Sequence, residues 1–418
     1  MRGSTTPHVL NGALDGHFGE RAYTVQQYDP PRDHVPNVLM LVDAYLPGFK
    51  SGGPIRSTSS LVEAIGSDVA FRIITRDRDF GDVRPYSGVV ADAWNRLGNA
   101  DVYYASKSSM SFGSLRRQIN RTPHDVLYLN SFFSFAFAIK PLILRRLKLI
   151  EQRPVLLAPR GQFSHEAIAL KRLKKRLYLA LGKVLAVYGE VTWQATSAHE
   201  VDDIRRMIGD EAKIVLVEVP RVKMNIETVK SSRPRKKAGV IRIALLGRVT
   251  RMKNVHFALD CLSHLDGDVL FDVFGPLEDD SYWMQCQAVV RSMPANIHVH
   301  YRGVVPYEDV LSVLGGYDLF FLPSKGENFG HAIIDAMVSG CPVLISNRTP
   351  WRNLHERGCG WDIPLEAPDQ FRSILKLMLA MDETELAKIS EKAREFGREQ
   401  ILRADVIARN RDLFLSFM

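Results

Sequence analysis

Short runs of β-branched, aromatic and leucine residues recur along this chain, with room for one helix between each pair. The first set is NVLMLV (37–42), FRIIT (71–75), DVYYA (101–105), DVLYLN (125–130), PVLLA (154–158), VTWQAT (191–196) and KIVLVEV (213–219). Continuous apolar runs of this length suit strands buried on both faces, and intervening helices make βαβ units around a parallel sheet. A polar, basic stretch with a proline, KSSRPRKKAG (230–239), then interrupts the pattern. The rhythm restarts with IRIALLG (241–247), VLFDVFG (269–275), IHVHYRG (297–303), DLFFLPS (318–324) and PVLISN (342–347). The pattern predicts an α/β protein with two Rossmann-like, doubly wound domains, at 36–229 and 240–395, joined by a linker at 230–239. Ligands of such sheets bind beyond the carboxyl ends of the strands, so the loops after these runs are where chemistry is expected.

The 418 residues and 46% hydrophobic content allow cores for both domains. A formal charge of +8 suits anionic ligands, nucleic acid or an acidic membrane surface without choosing among them. Nucleic acid is disfavoured because the lysines and arginines are not interleaved with an aromatic platform or a recognisable reading motif. The four cysteines lie far apart, with no CxxC pair and no zinc spacing, so the sequence suggests a reducing, cytoplasmic setting and no bound metal. Residues 1–35 mix polar, Gly and Pro residues without a long apolar stretch and read as a mobile tail. The apolar segment 126–144 is broken by Asn130, Ser131, Ser134, Lys140 and Pro141, which fits a strand followed by a buried helix better than a membrane span.

Four stretches stand out. In SGGP (51–54), Gly52 and Gly53 permit close backbone approach and Pro54 fits a first helical turn, whose free N–H groups favour a phosphate; a flexible loop is the plain alternative. In LLGRVTRMKN (245–254), Arg248 and Lys253 follow a glycine at a strand end and could neutralise a pyrophosphate, or form a solvated basic loop. In GENFGHAIID (326–335), a helix expected to start near Asn328 to Gly330 would set Glu327 and Asp335 about 12 Å apart and broadly on one side. The alternative there is a dipole-favouring acid followed by an ordinary surface aspartate. Finally, residues 169–189 form a basic amphipathic pattern: Leu170, Leu173, Leu177, Leu181, Val184 and Tyr188 share one stripe. Such a helix can lie on anionic lipid or pack on a core with a solvated back.

Together these pieces resemble the family 4 retaining glycosyltransferases of the GT-B fold, within the glycosyl transferases group 1. The resemblance rests on SGGP, APRGQFSHEAIALKRLKKRLY (158–178), TSAHEVDDI (196–204), LLGRVTRMKN and PSKGENFGHAIIDAMVSGCPVLISNRTPW (323–351). It runs from about residue 36 to the C-terminus, where residues 396–418 are similar to a closing helix that crosses back to the first domain. The two domains would then face each other across a cleft. The resemblance implies that Arg248 and Lys253 hold a donor diphosphate, with Gly52 and Gly53 nearby. It implies that Glu327 contacts the transferred sugar, with the backbone N–H groups of Asn328, Phe329 and Gly330. Asp335 stands where the family has the second glutamate of its E-x7-E motif, a ribose contact, with an arm one methylene shorter. Where many relatives carry a histidine, APRGQFSH has Arg160 and Gly161, which makes Arg160 and His165 the acceptor-side candidates.

The implied reaction moves a sugar from a nucleoside-diphosphate donor to a hydroxyl with retention. The donor is a co-substrate, and no further cofactor is implied. In the front-face mechanism discussed for the family, the departing phosphate takes the acceptor proton; Glu327 as a covalent nucleophile is the competing version. A nucleotide-sugar epimerase or a phosphorylase of the same fold, and a noncatalytic nucleotide-sugar-binding subunit, are the alternatives. A lipid-linked or growing bacterial glycan is the expected acceptor, and residues 169–189 the expected contact with an anionic membrane surface, by analogy.

Overall fold

The computed structural model describes residues 35–418 except 165–166, 169–174, 176–177, 180–181, 183–185, 222–232 and 402. The N-terminal tail and most of the basic segment 169–189 therefore lie outside the described residues, as does His165. The first half carries β1 (Asn37–Val42), α1 (Gly53–Ile65), β2 (Ala70–Arg76), β3 (Trp94–Leu97), β4 (Ala100–Ala105), α2 (Phe112–Arg121), β5 (Val126–Asn130), α3 (Lys140–Arg146), β6 (Val155–Ala158), β7 (Val191–Ala195), α4 (Ala198–Ile208) and β8 (Lys213–Leu216). Its eight strands run in the order β3-β4-β2-β1-β5-β6-β7-β8, parallel except for β3. The second half carries β9 (Val240–Leu246), α5 (Val255–Leu262), β10 (Asp268–Phe274), α6 (Asp280–Arg291), β11 (Ile297–Gly303), α7 (Val310–Leu314), β12 (Leu319–Leu322), α8 (His331–Val338), β13 (Val343–Ser346), β14 (Gly360–Ile363), α9 (Pro368–Ala380), α10 (Glu383–Ile401) and α11 (Ala404–Leu415). Its six strands are all parallel, in the order β11-β10-β9-β12-β13-β14.

Both sheets are doubly wound. The strand order reverses between β1 and β5 in one and between β9 and β12 in the other, which places a crevice at the carboxyl end of each sheet. The central strands are buried on both faces, as NVLMLV and LFFL require. Every apolar run named from the sequence is a strand; β3 and β14 are additional, short, and carry weaker patterns. The segment 126–144 is a strand, a π-helical turn (Phe135–Ile139) and the start of α3. Among the described residues, no helix is long and apolar enough to cross a membrane.

The basic stretch before β9 is anchored to the second half: Arg233 pairs with Asp318 at 3.1 Å and Glu383 at 2.6 Å, and Lys236 donates its N–H to Glu383. At the other end, α11 lies on the first sheet, with the Phe414 ring edge-on to Tyr128 and Phe71 at 5.4 and 5.7 Å. Asn410 donates to the Glu218 carbonyl and Arg403 pairs with the Glu218 carboxylate at 2.9 Å, which ties this helix to the first half.

Candidate functional site

The two crevices face each other across a cleft of about 2560 Å³, lined by Gly52, Arg160, Arg248, Lys253, Glu327 and His331 among others. On the first-half side, α1 opens with Gly53 after Gly52, whose φ of 63° is left-handed, and Pro54 occupies the first turn. Its free N–H groups and positive dipole end face the cleft.

On the opposite side the loops after β9 and β12 are tied together. Lys325 N–H and the Ser324 hydroxyl both donate to the Met252 carbonyl, at 2.8 and 3.1 Å. This brings Lys253 Nζ to 2.5 Å from Glu327 Oε1, with both side chains largely buried. Glu327 in turn donates its backbone N–H to the Arg348 carbonyl. Arg248 also lines the cleft, but its guanidinium holds Glu278 at 2.8 Å and is half exposed. Gly275, at φ 125°, lets its strand end pass Gly247: an added Cβ would lie 2.1 Å from the Gly247 carbonyl oxygen.

The helix after this loop starts at His331, capped by Gly330 at φ 77°, at the end of the expected range Asn328 to Gly330. Trp351 Nε1–H donates to the Phe329 carbonyl at 2.6 Å and holds the turn in place. Asn328, Phe329 and Gly330 all line the cleft next to Glu327. Asp335 does not. Glu327 precedes the helix, so helical spacing does not relate the two acids, and the Asp335 side chain is fully buried beneath α8. Its carboxylate is taken by Arg56 of α1 and by Arg221, at 3.3 Å, both reaching over from outside the second half. In this conformation the expected ribose contact at Asp335 is replaced by an ion pair between the halves.

Further bonds extend that pairing. The Arg56 guanidinium stacks over the Tyr307 ring at 4.4 Å. His331 Nδ1 lies 3.0 Å from Arg221 Nη2, and because arginine only donates, Nδ1 accepts; Nε2 therefore carries the proton and donates to Ser57 Oγ at 2.9 Å. Burial, reinforced by Arg221, Arg56, Arg160 and Lys253, holds the imidazole well below its ordinary pKa, so it is neutral.

At the end of β6, Arg160 and Gly161 are both left-handed, at φ 55° and 75°. A non-glycine residue there carries strain that surrounding structure must maintain. Glu200, buried in the first turn of α4, does so: its carboxylate accepts from Gly161 N–H at 2.6 Å and from the Thr196 N–H and hydroxyl at 2.8 and 2.7 Å. Asn328 crosses the cleft to donate to the Thr196 hydroxyl at 3.0 Å, and a Cβ on Gly161 would lie 2.8 Å from Asn328 Cβ. Arg56, Arg221, His331 and Glu200 were not singled out from the sequence. Glu200 had a local signal, three residues after the capping Ser197; the others act across the cleft and had none.

This architecture has known counterparts. Residues 227–396 match the family model for glycosyl transferases group 1. No curated protein sequence matches the chain. Among solved structures, sucrose-phosphate synthase from Thermosynechococcus elongatus is similar over 91% of this chain and 98% of its own, at TM-score 0.70 and 14% identity. The Anabaena protein HepE, in complex with UDP and glucose, is similar over 91% and 100%, at TM-score 0.66 and 14% identity. WaaG, a glycosyltransferase involved in lipopolysaccharide biosynthesis, is similar over 90% and 99%, at TM-score 0.62 and 15% identity. At such identities the likeness establishes the fold, two facing Rossmann-like domains of the GT-B class.

Proposed function

We propose that the chain is a retaining glycosyltransferase that moves a sugar from a nucleoside-diphosphate donor to a hydroxyl acceptor in this cleft. The observation that carries the reading is the convergence of Lys253, Glu327 and the N-terminus of α8 on one wall of the cleft, within the segment that matches the family model. UDP in the HepE complex makes uridine the first donor nucleoside to try.

In this reaction the bond from the sugar's anomeric carbon to the diphosphate oxygen breaks, and the acceptor oxygen takes its place. Negative charge grows on the departing phosphate, which receives the acceptor proton. Lys253 and Arg248 would bind that charge, and the N–H groups at the starts of α1 and α8 would add preorganised dipoles. Glu327, held by Lys253, would orient sugar hydroxyls. A glycan or lipid-linked acceptor, in bacterial polysaccharide or glycolipid assembly, approaches from the first half past Arg160 in this reading. The chemistry needs closure of two halves rather than a dedicated base.

The test is a screen of UDP, GDP and ADP sugars for binding and turnover, with product anomers read by proton NMR. Transfer with retained configuration is expected. Epimerisation without any acceptor, or tight donor binding without turnover across a broad acceptor panel, would replace the reading with one of its alternatives.

A further inference from the structure

Arg160 sits at the cleft as a cation without a carboxylate partner among the described residues. The other cations around His331 each touch a carboxylate: Lys253 pairs with Glu327, and Arg56 and Arg221 share Asp335. Arg160 instead spends Nε and Nη2 on neutral acceptors, the Asn130 Oδ1 at 3.1 and 2.8 Å and the Tyr128 hydroxyl at 2.6 Å. Nη1 is buried and has no hydrogen-bond partner. Asn130, only 5% exposed, has a second orphan: its Nδ2 is also buried without a partner.

The directions of these bonds are determined. Arginine only donates, so Asn130 must present its oxygen to Arg160 and turn its NH₂ away. Tyr128 accepts from Arg160 and passes its own proton to Gln194 Oε1, and Gln194 donates onward to the Val217 carbonyl. Glu200 spends both oxygens on Gly161 and Thr196. These neighbours are thus committed elsewhere, leaving two adjacent side chains with unspent donors and one net positive charge. Buried polar groups are rarely left unpaired, and a donor-only pair carrying a full charge calls for an anion. The strained backbone at Arg160 is the kind maintained at ligand sites.

We infer that Arg160, on the cleft wall with Asn130 behind it, forms a subsite for an anionic group, a carboxylate or a phosphate, carried by one of the two substrates. The inference rests on the transferase reading for its location, because Gly161 packs against Asn328, beside Glu327. The anion belongs either to the transferred sugar, as in a uronic acid, or to the acceptor.

Calorimetry on the full chain distinguishes the sources. One arm compares UDP-glucuronate with UDP-glucose; the other titrates glucuronate, inorganic phosphate and glucose, with and without UDP. The variants are Arg160→Met and Asn130→Asp, the second of which supplies Arg160 with an internal counter-ion and keeps the packing if the first fails to fold. A preference of about tenfold or more for the anionic ligand is expected in one arm, falling to within about threefold of parity in both variants while UDP affinity stays within about twofold. Preference in the first arm assigns the anion to the donor sugar, and in the second to the acceptor. Equal binding of charged and neutral ligands by the wild type, or an equal loss of UDP itself in the variants, would overturn the subsite. If UDP does not bind the wild type, the transferase reading fails, and the titrations without UDP still decide whether an anion is held.

Discussion

Asp335 shows how much a single carboxylate can be asked to do in this chain. It is fully buried and holds two arginines from beyond its own domain, so its charge joins the two halves. Removing one partner of such a set leaves uncompensated charge in low dielectric. Asp335→Asn is therefore expected to destabilise the protein by about 3–5 kcal/mol, read by urea unfolding, with a smaller effect on nucleotide affinity. A near-normal unfolding midpoint with lost nucleotide binding would restore the ribose role. His331 gives a pH signature. Its folded pKa lies below the unfolded value, so its contribution is fully present above about pH 6.5 and is lost as pH falls from there toward the folded pKa. Between pH 6.5 and 5.5, stability should fall by up to about 1 kcal/mol more in wild type than in His331→Asn; equal slopes would contradict a buried neutral imidazole. The loop residues Lys253 and Glu327 were legible because glycine and charge follow a strand end. The roles of Arg56, Arg221 and His331 were not, because each is defined by a partner more than 100 positions away in sequence.

Helix starts are the elements on which the site is built. Both α1 and α8 begin after a left-handed glycine, and each turns free N–H groups toward the cleft. Gly330 is the more constrained, since an added Cβ would lie 2.8 Å from Ile333 Cδ1 as well as in the left-handed region. Gly330→Ala should cost about 1–2 kcal/mol and shift the first turn of α8. Donor affinity should fall by about tenfold by calorimetry, and unchanged affinity would separate that turn from donor binding. The strands were readable from continuous apolar runs, which bury both faces whatever their neighbours. The helix start was legible to within a few residues because Asn328 and Gly330 are both acceptable caps; the structure uses Gly330, beside the Phe329 carbonyl that Trp351 holds.

The molecule as a whole is two doubly wound halves whose carboxyl ends oppose each other, joined by the anchored stretch before β9 and by α11 returning to the first sheet. Contacts across the cleft link α1 to α8, and Asn328 to Thr196. Opening would break these pairs, and a ligand bound to both walls would favour closure by its differential affinity. The central claim is that this cleft binds a nucleotide sugar through the wall containing Lys253. The most direct measurement is calorimetric titration of UDP-glucose and UDP into wild type and Lys253→Ala. One-to-one binding by the wild type, weakened by about tenfold or more in the variant, is the predicted result. Equal affinity in both proteins would contradict the claim.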